Sequence, residues 1–79
     1  MSLTLAKQGE RVKVTEFTGC SESRMRLLSM GLRIGDEVQV ITNLGKGQMA
    51  IAVDFKRFVI GRGLAQKIMV LPIQEEKAC

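Results

Sequence analysis

Two periods run through the apolar positions of this chain. From Glu10 to Phe17, Val12 and Val14 alternate with Arg11, Lys13 and Thr15, the two-residue period of a strand covered on one face. Glu37 to Thr42 repeats the pattern with Val38 and Val40, and Ile41 suggests some cover on the second face. Gln48 to Asp54 repeats it with Met49, Ile51 and Val53, the small Ala50 and Ala52 lying opposite. The loop Asn43–Gly47, with two glycines, would join these two runs as a hairpin. Asp54–Arg57 reads as a second tight turn, Phe58–Ile60 as a short strand, and Ile68–Ile73 as the last strand, with Pro72 near its end where no inward N–H is needed. Ahead of all of these, Leu3 and Leu5 are expected to pack on the sheet as a short strand or bracket.

The helical period occurs once, between Gly19 and Asp36. Ser21 is the expected N-cap, with Glu22 in the first turn, where a carboxylate suits the positive end of a helix. Met25 and Leu28 share one face, and Leu27 and Met30 the next. Gly31 follows the last turn, the place for a left-handed residue, and Leu32 is expected to fold back onto Leu27. Leu64–Lys67 is too short for a stable α-helix and suits one 3₁₀ turn. Five short strands, one inserted helix and one helical turn make an all-β fold, a small, partly open barrel that is expected to solve its edge problem by closing on itself. Residues 1–73 form one domain in this reading, and 74–79 a polar, frayed tail.

Composition narrows the picture. With 79 residues there is room for one small domain. Hydrophobic residues make up 46% of the chain, which argues against disorder, and three Phe with no Trp or Tyr leave the core to aliphatic side chains. The formal charge of +4 permits an acidic partner or nucleic acid and demands neither. Cys20 and Cys79 are two thiols without a C-x-x-C pair, as expected of free cysteines in a reducing cytosol. Met1–Gly9 has no signal-peptide pattern, and no apolar run reaches the ~20 residues of a membrane span. The expected location is the cytoplasm, with any membrane reached through a partner.

Little in the sequence supports chemistry. With no His, the commonest general base and transition-metal ligand is missing, and Cys20 has no imidazole to activate it. Asp36 and Glu37 are neighbours on a strand entrance and point to opposite faces, a poor acid–base pair. Gly45-x-Gly47 and Gly61-x-Gly63 lack the rest of a phosphate loop and read as turn residues. Cys20, Glu22 and Asp36 flank the helix and come nearest to a metal set, but mixed softness and irregular spacing make them a weak one. No cofactor is therefore expected. Arg24, Arg26 and Arg33 lie on or after the helix, either as a solvated face or as a docking surface for acidic groups. Phe55 stands in a turn with no local reason for a ring, so it would enter the barrel mouth or touch a partner.

The segments L-L-S-M-G-L-R-I-G-D-E-V (27–38) and F-V-I-G-R-G-L-A-Q-K-I-M-V (58–70), in this order and spacing, resemble the FeoA family. The resemblance extends from Leu5 to Val70. It implies an SH3-like, partly open barrel, related to a domain appended to metal-dependent repressors of the diphtheria toxin repressor type, here in free-standing form. It also implies an accessory protein of bacterial ferrous iron uptake, not an enzyme, that docks on the cytoplasmic part of the GTPase-containing transporter FeoB. At Phe55 the family often has Gly. The expected contacts are Arg24, Arg26, Leu27 and Met30 on the helix, with Leu44, Lys46 and Phe55 on loops. Nucleic acid is not expected as a partner. The alternatives are an RNA- or ribosome-associated barrel of the same fold, separable by salt-dependent nucleic-acid binding, and a transition-metal-binding sensor module, separable by metal titration.

Overall fold

The structure is a computed structural model and describes residues 1–73. The tail expected at 74–79, Cys79 included, lies outside the described residues. Five strands form one antiparallel sheet: β1 (Arg11–Phe17), β2 (Glu37–Thr42), β3 (Met49–Val53), β4 (Lys56–Ile60) and β5 (Ile68–Pro72), in the order β4-β3-β2-β1-β5. Helix α1 (Ser21–Ser29) is inserted between β1 and β2, and a four-residue helix α2 (Arg62–Ala65) between β4 and β5. The outer strands β4 and β5 do not pair with each other, so the barrel is partly open as expected, but the closure expected to remove its edges is absent among the described residues.

The alternation read from the sequence sets the register. Val12 pairs with Val38, and Val38 with Val53, so one face of three strands is aliphatic. Val12, Val14, Val38, Val40, Met49, Ile51, Val53, Ile60, Ile68 and Val70 are all buried. Phe17 is buried as well, although a strict period starting at Val12 would turn it outward. A register shift between Val14 and Glu16 adds one residue to β1 and restores the phase. A second shift between Val40 and Thr42 leaves Ile41 on the solvent side.

Several expectations needed correction. Leu3–Leu5 is a 3₁₀ turn, not a strand; it buries Leu3 and leaves Leu5 68% exposed, because neighbours on so tight a turn diverge. The residue at the N-cap is Cys20, with extended backbone and no side-chain cap bond, which makes Ser21 the first helical residue. The turn after β3 is two residues long, with Asp54 at φ +55, and Lys56 and Arg57 already pair with Val53 and Ala52. The segment expected as a 3₁₀ turn begins earlier as α2, where Ala65 N–H bonds Gly61 O at 3.0 Å and Gln66 N–H bonds Arg62 O at 2.9 Å, both four-residue steps. Gly63 is therefore helical, whereas Gly45 and Gly47 take positive φ in their loop.

The end of α1 is as the sequence predicts. Gly31 has φ +94. Gly31 N–H bonds Leu28 O at 3.0 Å and Leu32 N–H bonds Leu27 O at 3.1 Å, the paired bonds of a Schellman cap. Leu27 and Leu32 are both buried in the one apolar core, and Met30 and Phe58 pack against its margin.

Gly31→Ala should lower the unfolding free energy by about 1–2 kcal/mol in a urea titration, the penalty for a Cβ in the left-handed region. A Cβ built there meets only the Lys56 ammonium, at 3.7 Å, so the cost is one of backbone conformation and not of crowding. Wild-type stability in the variant would contradict the cap.

Candidate interaction surface

Because Leu27 is fixed in the core, the rest of α1 is presented outward. Arg24, Arg26, Met25 and Leu28 are exposed, the last two at 68% and 48%. Leu27 is fully buried and so acts as an anchor, which removes it from the expected contacts. Met30 is half-buried at the rim.

Gly31 lies beside the Lys56 side chain, which brings the end of α1 to the β3–β4 turn. At that turn Phe55 is fully exposed; it neither enters the barrel mouth nor packs on the sheet. The left-handed φ falls on Asp54 and not on Phe55, so glycine is not required at 55. The Arg33–Asp36 turn stands at the same end of the sheet, since Gly35 N–H bonds Val14 O at 2.8 Å and Val38 registers with Val53. The Asp36 carboxylate closes that turn by accepting the Arg33 N–H at 2.8 Å, and Ile34 is 61% exposed on it. One end of the molecule thus combines exposed Phe55 and Ile34 and the outer face of α1 with Arg24, Arg26, Arg33 and Lys56.

Leu44 and Lys46 belong to the other end. β3 separates their loop from Phe55 by roughly 14 Å at about 3.4 Å per residue. The Asn43 amide ties that loop down: it donates to Thr4 O at 3.1 Å and Ala6 O at 2.7 Å, and its oxygen accepts from Gly45 N–H at 3.0 Å and from the Arg62 guanidinium. Leu44 and Leu5, both largely exposed, flank this node. The seven expected contacts therefore divide between two ends and the core. The sequence reading missed Ile34, although the argument that singles out Phe55, an apolar side chain in a tight turn, applies to it equally.

No three Cys, Asp or Glu side chains come close enough to hold a metal ion among the described residues, so Cys20, Glu22 and Asp36 do not form a set. Cys20 is exposed, with its sulfur 3.6 Å from Ser23 Oγ. The backbone N–H dipoles of Ser23 and Glu22 at the start of the helix, which close no cap bond on the sulfur, and the Ser23 hydroxyl favour the thiolate and hold this thiol below the usual cysteine range. On the outer face of the sheet a shallow cavity of about 290 Å³ is lined by Arg11, Glu37, Val38, Gln39, Ala52 and Asp54. Its Arg11–Glu37 pair, at 3.3 Å, is half-exposed at both partners and contributes little to stability. No helix among the described residues is long and apolar enough to cross a membrane.

Comparison with known proteins agrees with this architecture. Residues 1–72 match the model of the FeoA domain. A protein of Methanocaldococcus jannaschii bearing the name Fe(2+) transport protein A is 43% identical over 68 residues, 86% of this chain and 82% of the relative. The crystal structure of an iron uptake regulatory protein, FeoA, superposes with a TM-score of 0.86 at 34% identity, over 92% of this chain and 97% of that one. A manganese-dependent transcriptional repressor shares the fold at 19% identity with a TM-score of 0.85, over 92% of this chain and 41% of its own.

Alkylation of Cys20 by iodoacetamide, followed in a Cys79→Ser background, should reach half its maximal rate at a lower pH than for an unstructured cysteine peptide. Ser23→Ala should move that midpoint upward, since it removes the hydroxyl that favours the thiolate. An unchanged midpoint would contradict the role given to Ser23.

Proposed function

This chain belongs to the FeoA family, and from that premise we propose that it is a non-enzymatic accessory protein of ferrous iron uptake that docks on the cytoplasmic part of a FeoB-type transporter and modulates it. The family and the name carried by the Methanocaldococcus jannaschii relative support the role in iron uptake. Iron in this reading is the cargo of the partner, and this chain works in the cytoplasm.

Support for docking comes chiefly from the end of the molecule where a fully exposed Phe55 stands with the outer face of α1. Solvent-exposed aromatic and aliphatic side chains beside cations are the usual ingredients of an interface centre with a polar rim. The proposed contacts are Phe55, Ile34, Met25 and Leu28, with Met30 at the rim and Arg24 and Arg26 meeting acidic groups of the transporter. Leu44 and Lys46, at the far end, lie outside this contact.

A purified FeoB-type transporter in detergent, passed over the immobilised chain, tests the proposal. Retention is expected. Phe55→Ala, and the double change Arg24→Glu with Arg26→Glu, should each weaken it about tenfold, near 1.4 kcal/mol. Leu44→Ser and Lys46→Glu should leave it within about twofold. A folded transporter that is not retained would overturn the reading.

A further inference from the structure

The hydrogen bonds of the sheet leave one edge open. In a hairpin with a two-residue turn, the flanking residues form a bonded pair, here Val53 and Lys56, and bonding alternates from there. Phe58 and Ile60, opposite Ile51 and Met49, therefore direct their N–H and C=O groups to β3, while Arg57 and Val59 direct theirs away from it. The same alternation carried across the sheet agrees with the Val40 N–H bond to Glu10 O at 2.9 Å and the Ile73 N–H bond to Arg11 O at 3.0 Å. At the opposite margin the edge is capped: Val70 N–H bonds Met1 O at 2.7 Å, the Met1 amine bonds Val70 O at 3.0 Å, and Ser2 bridges Met69. Among the described residues nothing pairs with the outward groups of Arg57 and Val59.

We propose that β4 accepts an extended, acidic segment of a partner protein as a sixth strand. The segment would bond the N–H and C=O groups of Arg57 and Val59, with a carboxylate opposite Arg57 and an apolar side chain opposite Val59. Charge selects this occupant. Lys56 and Arg57 are exposed, and neither is ion-paired among the described residues. Val59, 63% exposed on the same face as Arg57, supplies the apolar position, and Phe55 stands at the entrance to the edge. A second copy of the chain fits less well: two bodies of charge +4 repel, and lysine on an edge strand is a recognised guard against self-pairing. Strand addition of this kind draws affinity from main-chain bonds and specificity from alternate side chains. The proposal goes beyond docking on a transporter, because it specifies the segment by its chemistry and not by the protein that supplies it.

The probe is a blocked seven-residue peptide that alternates threonine with valine and glutamate, titrated into the ¹⁵N-labelled full chain. Amide exchange at Arg57 and Val59 should slow by about tenfold or more at saturation, while Phe58 and Ile60, already bonded to β3, change little. The same peptide with lysine in place of glutamate should not bind. Arg57→Glu should weaken binding about tenfold, and Val59→Pro should abolish it without removing a bond to β3. If Val59→Pro fails to fold, Arg57→Glu carries the test, because its side chain is on the solvent face. No binding at millimolar peptide, equal binding of the lysine peptide, or binding without protection at Arg57 and Val59 would overturn the proposal. So would protection that appears on raising the protein concentration alone, the signature of a second copy. None of these outcomes bears on whether the transporter is retained by the chain.

Discussion

The burial of Leu27 and Leu32 on either side of Gly31 is the contact that the rest of the surface depends on. A helix of nine residues is too short to persist in water by itself, and α1 has no side-chain cap at its N-terminus. It is held from its C-terminal end, by two leucines in the core and two backbone bonds that close around the glycine. Removing a leucine buried to this degree typically costs about 2–5 kcal/mol, a large share of the stability available to so small a domain. The same anchor fixes the rotation of the helix. With Leu27 inward, Met25, Arg24 and Arg26 face solvent and Leu28 is half exposed beside them.

The core and the candidate surface are in this way two sides of one constraint. Every buried residue among the described ones is apolar, and together they make one core. Polar and charged groups line turns, edges and the outer sheet face. What distinguishes the α1 end from the remainder is Phe55, a fully exposed aromatic ring that stands there with Ile34 and the cations.

Much of this was legible in the sequence, for reasons particular residues make plain. Val12, Val14, Val38, Val40, Met49, Ile51 and Val53 alternate without a break, so strands, faces and the hairpins between them follow directly. The left-handed Gly31 and the pairing of Leu27 with Leu32 follow from the rules of helix ends. Phe17 was less transparent, because the extra residue that restores its phase depends on pairing with β5, a contact some fifty residues away. The N-cap falls one residue earlier than expected, on Cys20, whose extended backbone makes Ser21 the first residue of the coil. The candidate surface was harder still. Met25 with Leu28 and Leu27 with Met30 have the same spacing, so periodicity cannot say which pair turns inward; the tertiary contact decides. That Leu44 and Phe55 stand at opposite ends of one strand, by contrast, follows from the strand expected between their two turns, although both are among the expected contacts.

Asn43 has a consequence for how the molecule breathes. Its single amide binds three stretches that are remote in sequence: the 3₁₀ turn at Thr4 and Ala6, its own glycine loop, and α2 through Arg62. None of the three can loosen without stranding the polar groups of the others, so that end of the sheet opens as one cooperative unit. The Phe55 tip has no such shared rivet. Opening of the Asn43 pole thus releases three segments at once, whereas the Phe55 tip can move without breaking any of these bonds.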